Sequence, residues 1–230
     1  MKLALISDVH GNLPALESVL SEIERYGVDQ IVSLGDVTGY YSQPNECINL
    51  LKERKAIQLL GNHDQYLISG QGCPRSRVVS NLLSHQEKDI SKKNMDYLSN
   101  LIPNINIENI SFVHGGWDDN LEEYLYEITL QKLLGDYKFY FSGHTHVQFM
   151  KVYDEKVYCN PGAVGQPRDG DPRSAFCIFD GSNVALHRIG YDIDKTAKAM
   201  QLAGFKDAKL WENLYIGSQI GGRIDSTNAF

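Results

Sequence analysis

The sequence predicts an α/β protein, and three observations carry that expectation. In the first half, short apolar runs alternate with segments of helical periodicity, the pattern of βαβ units with largely parallel pairing. In the second half the apolar runs come in close pairs around turn residues, the pattern of hairpins. Polar groups recur at the strand ends, where an open α/β sheet forms its binding sites.

Taken in order, "KLALIS" is a buried strand. A helix follows, with Asn12 as N-cap, Pro14 in its first turn, Leu16, Val19, Leu20 and Ile23 on one face, and Gly27 at its end. "DQIVSLGD" is the second strand, Pro44 opens a helix with Ile48 and Leu51 facing inward, and "AIQLLGNHD" is the third strand. Residues 65–83 read as loop-rich, and "SHQE" at 84–87 as a capping box opening a helix toward residue 100. Strands at "NINI" and "ISFVHGG" turn at Glu108 and Asn109; a helix is expected across 121–134, before the strand "YKFYFSGHTH". Two hairpins follow, "QFMKVYDEKVYCN" around Asp154 and Glu155 and "AFCIFDGSNVALHRI" around "DGSN". Residues 193–216 read as two short helices separated by Gly204, and the polar tail after Gly217 is expected to fray. The expected division is one domain over 1–190 and a helical appendage with a tail over 191–230.

Composition narrows the classes. A chain of 230 residues, 42% hydrophobic and 22% charged, can bury a real core without disulfides. A net charge of -7 argues against a broad basic surface for extended nucleic acid or an acidic membrane. "MKLALISDVHGN" turns polar too soon for a signal peptide or a membrane span. Cys47, Cys73, Cys159 and Cys177 lie far apart with no CxxC pair, the usage of a reducing compartment, so a cytoplasmic location is expected.

The strand ends carry Asp8 and His10, Asp36, Asn62 and His63, His114, and His144 with His146. On an extended segment, residues two apart share a face, so Asp8/His10 and His144/His146 can each aim at one point. A lone DxH or a lone His114 has a plain structural reading, but two histidines closing an apolar strand are costly without a purpose. Two metal ions sharing a bridging carboxylate would use seven of these eight groups, whereas one tetrahedral zinc needs four ligands. Mixed imidazole and oxygen donors favour manganese, iron, zinc, cobalt or nickel over calcium or magnesium. Two divalent ions, two aspartates and a bridging hydroxide leave one positive charge, which suits attack on an anionic phosphoester.

DxH, GD, GNHD, a later single His and GHTH, in this order, resemble the calcineurin-like metallophosphoesterase superfamily. "NPGAVGQPR" at 160–168 extends the likeness to its small bacterial and archaeal phosphodiesterase branch. The resemblance implies a four-layer α/β/β/α sandwich of two mixed sheets flanked by helices. It implies that Asp8, His10 and His146 bind one metal and Asn62, His114 and His144 the other, with Asp36 bridging. It leaves His63 free to protonate the leaving oxygen or to stabilise charge on it. One departure is "GDVTGYYSQP", where relatives often have glycine after "GY", so Tyr41 is expected to reshape the substrate entrance.

Arg168 is a candidate phosphate clamp, Arg173 an ion-pair partner of nearby aspartates, Tyr40 and Tyr41 candidates to stack on a base or aryl group, and Trp117 a packing residue. The expected activity is a dinuclear phosphodiesterase acting on small or nucleotide-like esters, with manganese as the first choice of metal. Phosphomonoesterase, protein phosphatase and dinucleoside polyphosphate hydrolase are the rival activities; a non-catalytic metal-binding scaffold is the rival of another class.

Overall fold

The computed structural model describes residues 1–227, and its first strand, β1 (Leu3–Ile6), is buried at every position. α1 (Leu13–Glu24) starts where Asn12 Oδ1 accepts the Ala15 N–H at 3.3 Å, and it buries Leu16, Val19, Leu20 and Ile23. β2 (Gln30–Ser33) runs parallel to β1, with Leu3 opposite Gln30. α2 (Pro44–Glu53) buries Ile48 and Leu51, and β3 (Ile57–Gln58) adds a parallel edge.

From here to residue 100 the structure differs from the sequence expectation. β3 is two residues long, and the chain enters α3 (Asn62–Ser69) at the very motif that the apolar run assigns to a strand end. α4 (Arg77–Asp89) occupies part of the expected loop region, so Ser84 and Glu87 lie inside a helix and form no capping box. Its cap is Ser76, whose Oγ accepts the Val79 N–H at 3.3 Å. α5 (Lys92–Leu98) starts afresh at Ser91, which accepts the Asn94 N–H at 3.2 Å.

The second half follows the hairpin pattern: β4 (Asn104–Ile107) with β5 (Ile110–Val113), then β6 (Phe139–Phe141), β7 (Gln148–Tyr153) with β8 (Lys156–Pro161), and β9 (Ser174–Phe179) with β10 (Val184–Ile189). The helix expected across 121–134 is replaced by irregular chain and one 3₁₀ turn at Leu130–Lys132. Asp119 Oδ1 accepts the N–H groups of Leu121 and Glu122, both at 3.0 Å, and such local bonds compete with helix formation. Leu125, Ile128 and Leu133 still reach the core, packing with Tyr140 and Tyr158.

The strands form two mixed sheets, ordered β10-β9-β1-β2-β3 and β4-β5-β6-β8-β7. Leu3, Leu5, Val32 and Leu34 from one sheet meet Phe112, Phe139, Phe141 and Cys159 from the other, so the central core lies between them. Helices α1 to α5 cover the outer face of the first sheet, giving the expected α/β/β/α sandwich. The layer over the second sheet is the 117–137 segment. Both sheets direct the carboxyl ends of their parallel strands toward the same edge of the sandwich, where Asp8, Asp36 and His114 follow β1, β2 and β5.

α6 (Ile193–Leu202) packs on α1, with Thr196 Oγ1 donating to Asn12 Oδ1 at 2.7 Å. After Gly204 the chain makes two 3₁₀ turns, Ala208–Leu210 and Glu212–Tyr215, in place of a second helix. Beyond Gly217 the chain does not fray as expected: Ser218 is fully buried, the Gly170 N–H donates to Gly217 O at 2.9 Å, and the Asp225 N–H donates to Arg168 O at 2.7 Å. Residues 228–230 of that expectation lie outside the described residues. Among the described residues no helix is long and apolar enough to cross a membrane, and all four cysteines are free.

Candidate metal centre

β1 stops at Ile6, and the chain turns sharply through Asp8 and His10, which have φ of 54° and 53°. Asp36 after β2 (φ 56°) and His144 and His146 after β6 (66° and 59°) share this left-handed conformation. The pairs two apart therefore converge through turns, not by sharing the face of an extended strand. A non-glycine residue in this region costs on the order of 1 kcal/mol, and five of the seven expected ligands adopt it. Asn62 and His63 occupy the first turn of α3, where successive side chains diverge by about 100° around the helix axis.

All eight residues meet. His146 Nε2 lies 3.2 Å from Asp8 Oδ1 and 3.1 Å from His10 Nε2. His114 Nε2 lies 3.0 Å from Asn62 Oδ1. Asp36 Oδ2 stands between the two groups, 3.7 Å from His10 Nε2 and 3.5 Å from His114 Nε2. Asp8, His10 and His146 form one cluster with metal-ligand spacing, and Asp36, His114 and His144 form another; a third cluster joins His10, Asp36 and His63.

Backbone carbonyls hold the imidazoles. Thr38 O at 2.7 Å, Leu34 O at 2.8 Å and Gln166 O at 2.7 Å face Nδ1 of His10, His114 and His146. A carbonyl only accepts, so each Nδ1 carries the proton and each Nε2 turns a lone pair inward.

The sequence pattern of the calcineurin-like phosphoesterase superfamily domain matches residues 1–183. The chain belongs to this superfamily. A metallophosphoesterase from Sphaerobacter thermophilus shares the fold with a TM-score of 0.83 and 34% identity, covering 94% of this chain and 100% of that one. Protein MJ0912 of Methanocaldococcus jannaschii is 33% identical over 217 residues, 84% of this chain and 89% of its own length. Phosphodiesterase YfcE of Escherichia coli is 28% identical over 178 residues, 76% of this chain and 85% of its own. As a calcineurin-like phosphoesterase the chain is a metal-dependent phosphoester hydrolase.

The donor set fits divalent cations. Among the described residues Asp8 Oδ1, Asp36 Oδ2 and His144 Nε2 are buried with no hydrogen-bond partner, although each belongs to the clusters. Orphaned acceptors of this kind cost free energy unless a cation meets them. Burial pushes the pKa of His10, His144 and His146 below the ordinary imidazole value, which keeps them in the neutral form that binds metal. Burial, with Asp64 and Asp8 nearby, pushes the Asp36 carboxyl well above its usual range. Burial acts in the same sense on Asp8 but is outweighed by His146, His114 and His10, which hold it well below. An ionised Asp36 thus needs a compensating positive charge beside it.

Asp64, the last residue of "GNHD", carries a role that the sequence reading did not assign. Its buried carboxylate accepts the N–H groups of Asp36 and Thr38 at 2.9 Å, the N–H of Gly61 at 3.1 Å and the Thr38 hydroxyl at 2.8 Å. It thereby ties the loop after β2 to the start of α3. Gly61 is required there, because a Cβ would come within 2.0 Å of Asp36 Oδ1. The available signal was an acidic residue in the first turn of a helix, hidden because the segment reads as a strand.

The remaining candidates separate clearly. Tyr41 is fully buried, with its hydroxyl accepting from Gln166 Nε2 at 3.2 Å, so it does not shape the entrance. Its place as a packed residue explains why a large side chain is tolerated after Tyr40. Arg173 pairs with Asp171 at 2.7 Å, and Trp117 packs on Tyr140 with its Nε1–H donating to Ser111 Oγ at 2.9 Å. Arg168 is buried with no carboxylate partner among the described residues; it donates to Gln166 Oε1 at 2.9 Å and to Tyr40 OH at 2.9 Å. Arg168, Tyr40 and His63 line a cleft of about 480 Å³ that opens beside the clusters.

Proposed function

We propose that the protein is a dinuclear phosphodiesterase acting on small, nucleotide-like diesters. The observation that carries the reading is Asp36 Oδ2, unpartnered and about equally far from His10 Nε2 and His114 Nε2, at 3.7 and 3.5 Å. That position supports the reading of a carboxylate shared between two sites. Asp8, His10 and His146 would hold one ion, Asn62, His114 and His144 the other, with Asp36 between them. Such ions would supply a nucleophile from water at neutral pH and neutralise the phosphoryl oxygens.

The chain's own residues do the rest. Arg168 offers a buried guanidinium to a phosphate oxygen, since its present partners are neutral. His63 faces the cleft and is placed to give a proton to the departing oxygen. Burial, followed by His10 and Arg168, lowers its pKa, and a bound phosphoanion opposes that shift. Diesters are favoured over monoesters because the Escherichia coli relative is a phosphodiesterase. Manganese is the first choice of metal, with iron, zinc, nickel and cobalt as the others that suit this donor set.

The test is elemental analysis of the purified protein beside rates on a diester and a monoester of the same nitrophenol. Two ions per chain and faster diester cleavage are expected. A single ion at full activity, or a clear preference for the monoester, would overturn the respective part.

A further inference from the structure

The cleft beside the metal clusters has a wall that the chemistry above does not use. Besides Arg168 it is lined by Arg75 and Arg223, and no aspartate or glutamate is among its lining residues, in a chain of net charge -7. Its volume of about 480 Å³ is far more than one phosphate needs and falls in the range of small organic ligands. Tyr124 and Tyr126 line it as parallel rings 5.7 Å apart, and the Arg75 guanidinium lies 5.3 Å from the Tyr124 ring.

The tail builds part of this wall. Asp225 is a hub: it accepts from Tyr126 OH at 3.1 Å, Gln219 Nε2 at 2.6 Å and Arg223 Nε at 3.0 Å. Its own N–H donates to Arg168 O at 2.7 Å, two residues after the Gln166 carbonyl that orients His146. Arg75 is engaged by Glu122 and Tyr66. Among the described residues Arg223 uses only its Nε, on Asp225, and its largely exposed side chain lines the cleft, which leaves its two terminal nitrogens available to an anion. Terminal guanidinium nitrogens are the pair that grips a phosphate in bidentate fashion.

We propose that residues 217–225 complete a second anion subsite, centred on Arg223 with Arg75 beside it. It takes a phosphate group carried elsewhere on a nucleotide-class diester than at the scissile phosphorus. The inference rests on the phosphodiesterase reading for its placement of the reacting phosphate. It adds that the substrate has a second phosphate and that the C-terminal tail selects it.

The test compares thymidine 5′-(nitrophenyl phosphate) with the same ester carrying a 3′-phosphate, using the manganese-loaded full chain. The wild-type protein is expected to favour the 3′-phosphorylated ester by about tenfold or more in kcat/KM, the size of one charge-assisted contact. Arg223→Ala is expected to abolish that preference and Arg223→Lys to keep part of it. Equal kcat/KM for the two esters in the wild type, or a preference untouched by Arg223→Ala, would overturn the subsite while leaving the phosphodiesterase reading intact. If neither ester is cleaved, the phosphodiesterase reading falls, and calorimetry still decides the subsite. Tighter binding of thymidine 3′,5′-bisphosphate than of thymidine 5′-monophosphate, lost in Arg223→Ala, would support it; equal binding would overturn it.

Discussion

The Asp64 carboxylate accepts the backbone N–H of Asp36 at 2.9 Å, so a residue that faces no cluster fixes the carboxylate that stands between two of them. The same carboxylate receives Thr38 and Gly61, which hold the carbonyl facing His10 and the start of α3. Asp64→Ala leaves several buried donors unmatched, each costing about 1–3 kcal/mol. A lower melting temperature is expected, together with weaker binding of manganese at every site. A melting temperature and metal content equal to the wild type would show that Asp64 positions nothing.

A shared carboxylate makes a distinct prediction for metal loading. If Asp36 bridges two sites, Asp36→Asn is expected to weaken both, since its Oδ2 lies 3.7 Å from His10 Nε2 and 3.5 Å from His114 Nε2. His10→Ala is expected to release mainly the ion beside Asp8 and His146. Metal analysis after dialysis against limiting manganese checks this, and a variant pair with the same residual metal would contradict the bridging role.

The tail deletion follows from Asp225. Ending the chain after Gly217 removes the acceptor of Tyr126 OH and the donor to Arg168 O. Losing such buried bonds costs about 2 kcal/mol, or about 4–8 °C in melting temperature for a chain this long. Thermal unfolding of the truncated chain measures it, and an unchanged midpoint would mean that the tail contributes no stability.

The site was legible because it is written in short motifs whose residue types have few other uses, and its eight groups do converge. The way they converge was not. Positive φ at Asp8, His10, Asp36, His144 and His146 is imposed by tertiary packing, and no local preference of Asp or His announces it so often. The hairpins were legible from alternation and turn residues, as at Asp154. α4 was not, because its apolar face is only Val79, Leu82 and Leu83, with Gln86 completing it by a bond to the Gly39 N–H at 2.9 Å. The tail reads as polar and loose because Asp225 finds its partner Tyr126 far away in sequence.

Acid stability gives a prediction of definite sign. Burial holds the pKa of His10, His63, His144 and His146 below the ordinary 6.5, and that of Asp36 above the ordinary 3.8. In chelated protein below about pH 6.5, the unfolded chain gains protons on these four imidazoles that the folded chain refuses. Asp36 and Asp64, both raised by burial, oppose with protons held by the folded state. The unfolded state binds more protons on balance, so stability rises with pH up to about 6.5. Melting temperatures in chelator across this range check the sign, and a flat profile would contradict it.

His63 makes the sharpest catalytic prediction. It lies in the first turn of α3, and its Nδ1 is buried without a partner while the ring borders the cleft. Its neighbour Asn62 points its Oδ1 to His114, so the two divide the work by helical geometry. The ring also stands within reach of His10 and Asp36, close enough to act as a ligand. The two roles separate experimentally. As a proton donor, His63 contributes about 10²–10⁴-fold, and only where the departing oxygen leaves poorly. His63→Ala is then expected to retain its metal and lose most activity on a nucleoside ester, while losing much less on a nitrophenyl ester whose oxygen departs as a stable anion. As a ligand, His63→Ala would release metal and depress both esters together. Rates on the two esters, with metal content measured on the same samples, decide between them; equal losses with metal retained would contradict both and point to binding of the phosphate before reaction.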